Sequence, residues 1–282
     1  GGHLLEAAAA HHEATGTDDL LNVAIRFADH VRNQFGPDKR LGYCGHEEFE
    51  LGLLALANAV GGEKGEGYRE FARWMIDVRG TKPSIFEAEL ADPVSKEPNP
   101  WKSSLLQTWD GKYDGSYAQD HVPLREQTDV VGHSVRAMYL FAAAAEAFAG
   151  KGDEAMVAAL ERLWTSLTER RMYVTGGIGS TNSNEGFTND YDLPNRSAYN
   201  ETCAACGLVF WAERMLAATA DSSYADVMEL ALYNGALPGI SLSGDRFFYA
   251  NPLESVGDKS RPEWYDCACC PPNIARLIAS VG

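Results

Sequence analysis

Apolar residues recur along most of this chain at the three- and four-residue spacing of amphipathic helices, in blocks that come in pairs. A short turn containing Gly or Asp separates the two members of each pair, so the repeated unit is a helical hairpin. The predicted pairs are Leu4–Ala14 with Leu20–Phe35, Phe49–Val60 with Tyr68–Val78, Val130–Ala149 with Ala155–Arg170, and Tyr199–Ala218 with Tyr224–Tyr233. The turns recur at about one and then two steps of 45 residues, which favours repeated helix pairs over an irregular bundle.

Two long inserts interrupt the pairs, over Arg79–Arg125 and Arg171–Ala198. Loops of this length inside a compact domain usually carry function. Near the end of the chain, Arg246–Ala250 is typical of a short strand, and a last helix is expected to begin at Pro271. Nothing in the composition marks a linker, so we expect a single all-α domain over residues 1–282.

The charge of the chain narrows its classes of partner. Lys and Arg number 24 and Asp and Glu number 40, which gives a net charge of −16, and no basic cluster relieves it. Polyanions would be repelled, so neither nucleic acid nor an anionic membrane is expected as a partner. No apolar run approaches the roughly 18 residues of a membrane-spanning helix.

The cysteines are distributed in a way that indicates chemistry. Cys267, Cys269 and Cys270 lie within four residues, just before a helix start marked by two prolines. Amide N–H groups and the helix dipole favour thiolates at such a place, and thiolates bind soft metals or act as nucleophiles. The alternative to a chemical role is that the three cysteines are buried free thiols that serve only in packing. The pattern differs from an extracellular disulfide framework, so the cytoplasm is favoured, although a chain that starts at Gly1 leaves secretion open.

A second group of donors lies at Glu201, Cys203 and Cys206. Glu201 and Cys203 are two residues apart, so both can reach one metal only at a helix entrance, whereas Cys206 shares a helix face with Cys203 and is a rival ligand. The two groups supply at least four sulfur or carboxylate donors, which suits tetrahedral Zn²⁺. An iron–sulfur cluster is the less favoured alternative, because a carboxylate replaces a thiolate poorly there.

Several segments, taken in order, resemble one known family. They are Gly176–Ser180, Glu185–Phe187, Asp190–Asn195, Ala198–Cys203, Tyr224–Glu229, Leu232–Gly235, Phe248–Leu253 and Cys267–Arg276. Together they are similar to the glycoside hydrolase family 127 β-L-arabinofuranosidases. The resemblance implies an (α/α)6 barrel, of which about nine of twelve helices are expected in this sequence. It also implies that the first helices and the β-sandwich modules of the family lie outside the sequence.

The resemblance further implies a retaining hydrolase that releases β-L-arabinofuranose from a small carbohydrate substrate. It is also compatible with a homodimer. It nominates Cys269 as nucleophile and Glu185 as acid/base. The implied zinc ligands are Glu201, Cys203, Cys269 and Cys270, and the implied sugar contacts are His3, His46, His133 and Tyr249. Cys44 and Cys206 depart from the family pattern, so a role for either is left open.

Two other functions remain open from the residues alone. One is a noncatalytic helical scaffold stapled by zinc, and the other is a related helical-barrel hydrolase or epimerase of different sugar specificity. The scaffold has no use for the acid Glu185 near Cys269, whereas the hydrolase needs both groups at the same glycosidic bond. The position of Glu185 therefore discriminates between enzyme and scaffold.

Overall fold

The computed structural model describes residues 1–91 and 113–281, and helices dominate this part of the chain. The α-helices are α1 (Gly2–Thr15), α2 (Asp19–Gln34), α3 (Glu48–Val60), α4 (Gly62–Val78), α5 (Ile85–Ala91), α6 (Ser134–Phe148), α7 (Glu154–Arg170), α8 (Thr202–Thr219), α9 (Ser222–Leu230) and α10 (Cys270–Ala279). The predicted all-α class is confirmed. In the described ranges, no helix combines the length and the apolar character needed to cross a membrane.

The predicted hairpins correspond to α1 with α2, α3 with α4, α6 with α7, and α8 with α9. One helix was not predicted: α5 lies within the first insert. The helix predicted over Tyr224–Tyr233 ends as an α-helix at Leu230 and continues as a π-helical turn over Ala231–Ala236. Pro238 follows two residues later, where it cannot donate the hydrogen bond that a continuing helix needs.

The strand expected over Arg246–Ala250 is reduced to isolated bridges in the structure. Phe247 pairs with Ile240, and Ala250 pairs with Glu201. The reason is that successive residues bond to different partners: the Phe248 amide donates to the Gly239 carbonyl, whereas the Tyr249 carbonyl accepts from the Thr202 amide. A β-ladder requires one continuous neighbouring strand, and this segment has none among the described residues.

The contacts divide the chain into two compact units. The first unit comprises Gly1–Gln127 and Tyr139–Ala159, and the second comprises Thr128–Met138 and Leu160–Gly282. The expectation of a single domain over residues 1–282 stays a prediction.

In the first unit, α1 packs mainly on α3, and α3 also packs on α4. Glycines allow the close approach of α1 and α3, since a Cβ on Gly2 would lie 2.0 Å from the Glu48 carbonyl oxygen, and one on Gly52 would lie 2.5 Å from the Gly2 carbonyl oxygen. The crossing places His3 beside Glu48, with 3.0 Å between Nδ1 and Oε1.

In the second unit, α8 packs against α9, the π turn and α10. Every residue of α8 from Thr202 to Ala212 is buried, including the small residues Ala204, Ala205 and Gly207. A helix that is buried on all its faces belongs to the interior of a protein. The entrance of α8 is therefore fixed by packing, and the cysteine-bearing α10 is held beside it.

A buried carboxylate organises the first insert. Asp120 is fully buried and accepts hydrogen bonds from the hydroxyls of Tyr43, Ser84 and Tyr113 and from the Gly80 amide. Burial, followed by the hydrogen bond to Asp120, raises the pKa of Tyr43 well above its usual value. These donors come from three separate stretches of the chain, so Asp120 ties them together.

We expect Asp120→Ala to lower the free energy of unfolding by about 3 kcal/mol, because it leaves several buried donors without their charged acceptor. Chemical denaturation followed by circular dichroism measures this change. The matched control is Asp38→Ala, which removes an exposed carboxylate and should change stability little. Equal stability of the two variants would remove Asp120 from the organisation of this insert.

Candidate metal centre and active site

The candidate ligands lie at the entrances of two packed helices. Glu201 is the N-cap residue of α8 with an extended backbone (φ −59°, ψ 135°), and Cys203 follows in the first turn. Cys269 is the N-cap residue of α10, and Cys270 is its first residue. Because the chain changes direction at Glu201, side chains two residues apart converge here, as they would not inside a regular helix.

One donor atom from each of Glu201, Cys203, Cys269 and Cys270 lies within 4.8 Å of the other three. The Cys203 Sγ lies 3.5 Å from the Cys270 Sγ, and the Cys269 Sγ lies 3.5 Å from Oε1 of Glu201. The two adjacent thiols, Cys269 and Cys270, are 3.7 Å apart. We call these four residues the thiol–carboxylate cluster.

The pKa values of the four residues in this cluster shift in different directions. Burial raises the pKa of Glu201 well above its usual value, and hydrogen bonds with Cys269 and Cys270 raise the pKa of Cys203. In contrast, hydrogen bonds from Cys203 and Cys269 lower the pKa of Cys270 to about 6. Cys203 lowers the pKa of Cys269, but Cys270 and burial outweigh it, so this thiol is less acidic than a free cysteine.

The cluster fits a metal ion. Oε2 of Glu201 is buried and has no hydrogen-bond partner among the described residues, although the residue is only 2% exposed. A buried carboxylate oxygen without a partner is costly, and a cation is the kind of partner that compensates for it. Three thiols and one carboxylate are also a donor set that soft and borderline metals accept.

Glu185 is brought to the cluster by the second insert. Its backbone adopts φ 53°, and its carbonyl accepts hydrogen bonds from the Ser134 amide at 3.2 Å and the Ser134 hydroxyl at 3.0 Å. Gly186 beside it passes so close to Gly132 that a Cβ would lie 1.7 Å from the carbonyl oxygen. The sequence therefore allows the Glu185 loop to lie directly against the start of α6.

Three side chains hold the Glu185 carboxylate. The hydroxyls of Tyr199 and Tyr249 donate to Oε1 at 3.0 and 3.3 Å, and Nε2 of His133 lies 3.3 Å from Oε2. Carboxylate oxygens of Glu185 and Glu201 and a ring nitrogen of His133 lie within 4.8 Å of one another. Glu185 thus borders the thiol–carboxylate cluster.

The protonation of His133 follows from its contacts. Its Nδ1 accepts from the Val135 amide at 3.1 Å and faces the Arg136 amide at 3.4 Å, so the ring proton is on Nε2. Burial lowers the pKa of His133, which keeps the ring neutral near pH 7. His133 is therefore a hydrogen-bond donor to Glu185.

Tyr249 connects Glu185 with the cluster. Its carbonyl accepts from the Thr202 amide at 2.9 Å, which anchors it to the entrance of α8. Its hydroxyl reaches Glu185 and also lowers the pKa of Cys269 by hydrogen bonding. The sequence did not predict the matching role of Tyr199, whose only signal is its position two residues before Glu201.

The other candidates are not members of the thiol–carboxylate cluster. Cys206 is buried one turn further along α8 and is not a member of the cluster, so the geometry favours Cys203 over this rival. Cys44 and Cys267 are exposed free thiols. Two of the candidate histidines, His3 and His46, belong to the first unit. There His3 pairs with Glu48, and the His46 ring lies 5.6 Å from that of Tyr139.

Comparison with known proteins gives a consistent result. All 282 residues match the family described as the β-L-arabinofuranosidase GH127 catalytic domain. The non-reducing end β-L-arabinofuranosidase of Bifidobacterium longum subsp. longum is 40% identical over 293 aligned residues, which cover 99% of this chain and 43% of the relative.

Solved structures agree with this match. A GH127 β-L-arabinofuranosidase from Geobacillus stearothermophilus T6 has a TM-score of 0.90 at 44% identity, covering 99% of this chain and 44% of that one. A second GH127 β-arabinofuranosidase has a TM-score of 0.83 at 38% identity, covering 99% and 39%. These structures are helical barrels, in agreement with the predicted fold class. The chain spans less than half the length of the relatives it matches.

Proposed function

Since the chain belongs to the GH127 family of β-L-arabinofuranosidase catalytic domains, we propose that it forms the active site of a zinc-dependent retaining glycosidase that releases β-L-arabinofuranose. The observation that carries this proposal is the placement of Glu185 beside the thiol–carboxylate cluster, linked to it through Tyr249 and Glu201. A retaining glycosidase needs a nucleophile and an acid/base at one glycosidic bond.

Glu201, Cys203, Cys269 and Cys270 would hold the zinc ion. Bound there, zinc would keep the thiols deprotonated at neutral pH, including the Cys269 thiol, whose pKa is otherwise raised. Two sulfurs and one carboxylate of this set are buried almost completely, and Cys269 alone is partly exposed. Exposure therefore favours Cys269 over Cys270 as the sulfur that meets a sugar.

In this proposal the Cys269 sulfur attacks the anomeric carbon, and Glu185 gives its proton to the departing oxygen. A thioglycosyl bond forms as the glycosidic bond breaks. Glu185, now ionised, then takes a proton from the water that displaces the sulfur, so the product keeps the configuration of the substrate. Tyr199, Tyr249 and neutral His133 orient the carboxylate by donating to it.

The sugar contacts predicted from the resemblance are part of the same proposal. His133 and Tyr249 touch the acid/base, so they lie where a sugar at this bond would be bound. Roles in sugar binding for His3 and His46, and a homodimeric assembly, stay predictions. The contact of Glu185 with this site argues against a noncatalytic scaffold, which would not need an acid held by three donors.

The first prediction of this proposal is one tightly bound zinc per chain. Cys203→Ser should lose the metal and lower the midpoint of thermal unfolding by roughly 5 °C or more, because metal binding contributes to folding. The matched control is Cys206→Ala, which removes a thiol three residues further along the same helix and should retain zinc. Elemental analysis measures the metal. No zinc, or iron in its place, contradicts the predicted metal, and a metal content that depends on Cys206 instead of Cys203 contradicts the proposed ligands.

The second prediction concerns Glu185. Glu185→Gln should keep the fold and the zinc but slow turnover by roughly 10²-fold or more on arabinofuranosides with poor leaving groups. Turnover of substrates with activated aryl leaving groups should slow less, because these groups depart without needing a proton. The control is Glu229→Gln, an exposed carboxylate on α9. Rates close to those of the wild type across the whole leaving-group series would exclude Glu185 as the acid/base.

The third prediction is that Cys269 forms the covalent bond to the sugar. An electrophilic arabinofuranose mimic, followed by peptide mass mapping, should place the label on Cys269 and leave the more exposed Cys267 and Cys44 unmodified. An excess of free sugar should protect the site. A label on Cys270 or Glu201, or a product of inverted configuration, is incompatible with this assignment while leaving the metal site untouched.

A further inference from the structure

A cavity of about 380 Å³ lies in the second unit, and the proposed reaction does not use it. This volume lies in the lower part of the roughly 300–1,000 Å³ range typical of small-molecule sites. Three asparagines contribute to its wall together with apolar rings: Asn200, Asn234, Asn251, Phe248, Pro238 and Pro252. We call it the asparagine cavity.

The cavity is distinct from the site around Glu185. Phe248 lines the cavity, whereas the hydroxyl of the next residue, Tyr249, reaches Glu185. Successive side chains of an extended segment point in opposite directions, so this segment separates the two places. Asn200 also lines the cavity, whereas the next residue, Glu201, belongs to the thiol–carboxylate cluster.

Asn200 presents an unusual buried amide at this wall. The residue is only 3% exposed, and neither its Oδ1 nor its Nδ2 has a hydrogen-bond partner in the described part of the chain. Its backbone adopts φ 41°, a conformation that side-chain-bearing residues seldom adopt. Leaving both polar atoms of a buried amide unpaired is costly, and an unpaired group of this kind calls for a partner.

Asn251 adds a fixed acceptor. Its Nδ2 donates to the Asn200 carbonyl at 2.9 Å and to the Thr202 hydroxyl at 3.0 Å, which sets the orientation of the amide. The opposite atom, Oδ1, is buried without a partner among the residues that the structure describes. The residues that line the cavity therefore include two amides with buried polar atoms that the described protein leaves without partners.

The third amide, Asn234, is carried by the π-helical turn Ala231–Ala236. Such turns occur frequently at functional sites. Gly176, with φ 75°, lies so close to this turn that a Cβ would be 2.8 Å from the Ala231 Cα, and a Cβ on Gly177 would be 2.9 Å from the Asn200 Cγ. The glycine-rich run of the second insert thus has a role, since it allows the backbone to approach the π-helical turn and the Asn200 side chain.

The geometry points to a neutral sugar unit as the ligand of the asparagine cavity. No charged side chain belongs to the described wall, so neither phosphate nor a cation is favoured. Amides offer donors and acceptors together, which matches the hydroxyl groups of a sugar, and Phe248, Pro238 and Pro252 add apolar surface for its C–H groups. This second carbohydrate site goes beyond the proposed hydrolysis, and only the choice of arabinose as probe rests on that function.

To test this proposal, the whole chain is labelled with ¹⁵N at asparagine and titrated with L-arabinose, and the side-chain amide signals are followed by NMR. The side-chain amide signals of Asn200, Asn234 and Asn251 should shift and saturate, whereas those of exposed Asn22 should not move. Asn234→Leu should raise the Kd reported by the two remaining amides roughly tenfold, because it removes a hydrogen-bonding group from the wall. The matched control, Asn22→Leu, should leave the Kd unchanged.

The outcomes separate this proposal from the proposed function. The amide shifts should persist in Glu185→Gln, and they should appear even if the chain hydrolyses nothing. Inorganic phosphate should cause no saturable shift. Amide signals that do not respond to L-arabinose, a Kd insensitive to Asn234→Leu, or saturable shifts with phosphate would each overturn the assignment of a neutral sugar to this cavity.

Discussion

The structure around the site depends on the burial of a carboxylate among three thiols. Glu201, Cys203 and Cys270 are each at most 4% exposed, and their donor atoms lie within 4.8 Å of one another and of Cys269. Burial disfavours the charged form of Glu201 and raises its pKa, and the neighbouring acidic groups Cys269 and Glu185 raise it further. Only the binding of a cation makes such an arrangement favourable with all four donors ionised.

Helix entrances allow four such donors to converge in a buried place. At an N-cap the chain leaves an extended conformation and enters a helix, so neighbouring side chains can converge, and the free amides of the first turn favour negative charge. Both donor pairs lie at helix entrances: Glu201 and Cys203 on α8, where the N-cap backbone is extended, and Cys269 and Cys270 on α10, where the N-cap backbone is already helical. The burial of α8 from Thr202 to Ala212 and its packing on α10 then fix the separation between the two pairs.

Much of this arrangement could be predicted from the sequence because it is local. Apolar periodicity predicted the helix pairs, and the spacing of Glu201 and Cys203 already required a helix entrance. The π turn at Ala231–Ala236 and the dispersed hydrogen bonds of Arg246–Ala250 could not be predicted, because tertiary packing overrides local preference there. Nor could the contact between Tyr199 and Glu185, which depends on how a long insert folds back across the chain.

The loop that carries Glu185 is fastened mainly through main-chain atoms. The Glu185 carbonyl accepts from Ser134, and the Phe187 amide donates to the Gly132 carbonyl, while Gly186 keeps the passage open. These main-chain bonds do not depend on the exposed side chains of Asn182 and Ser183, so substitutions there should leave them in place. A randomised library at these two positions could therefore diversify the exposed surface of this loop without moving its carboxylate.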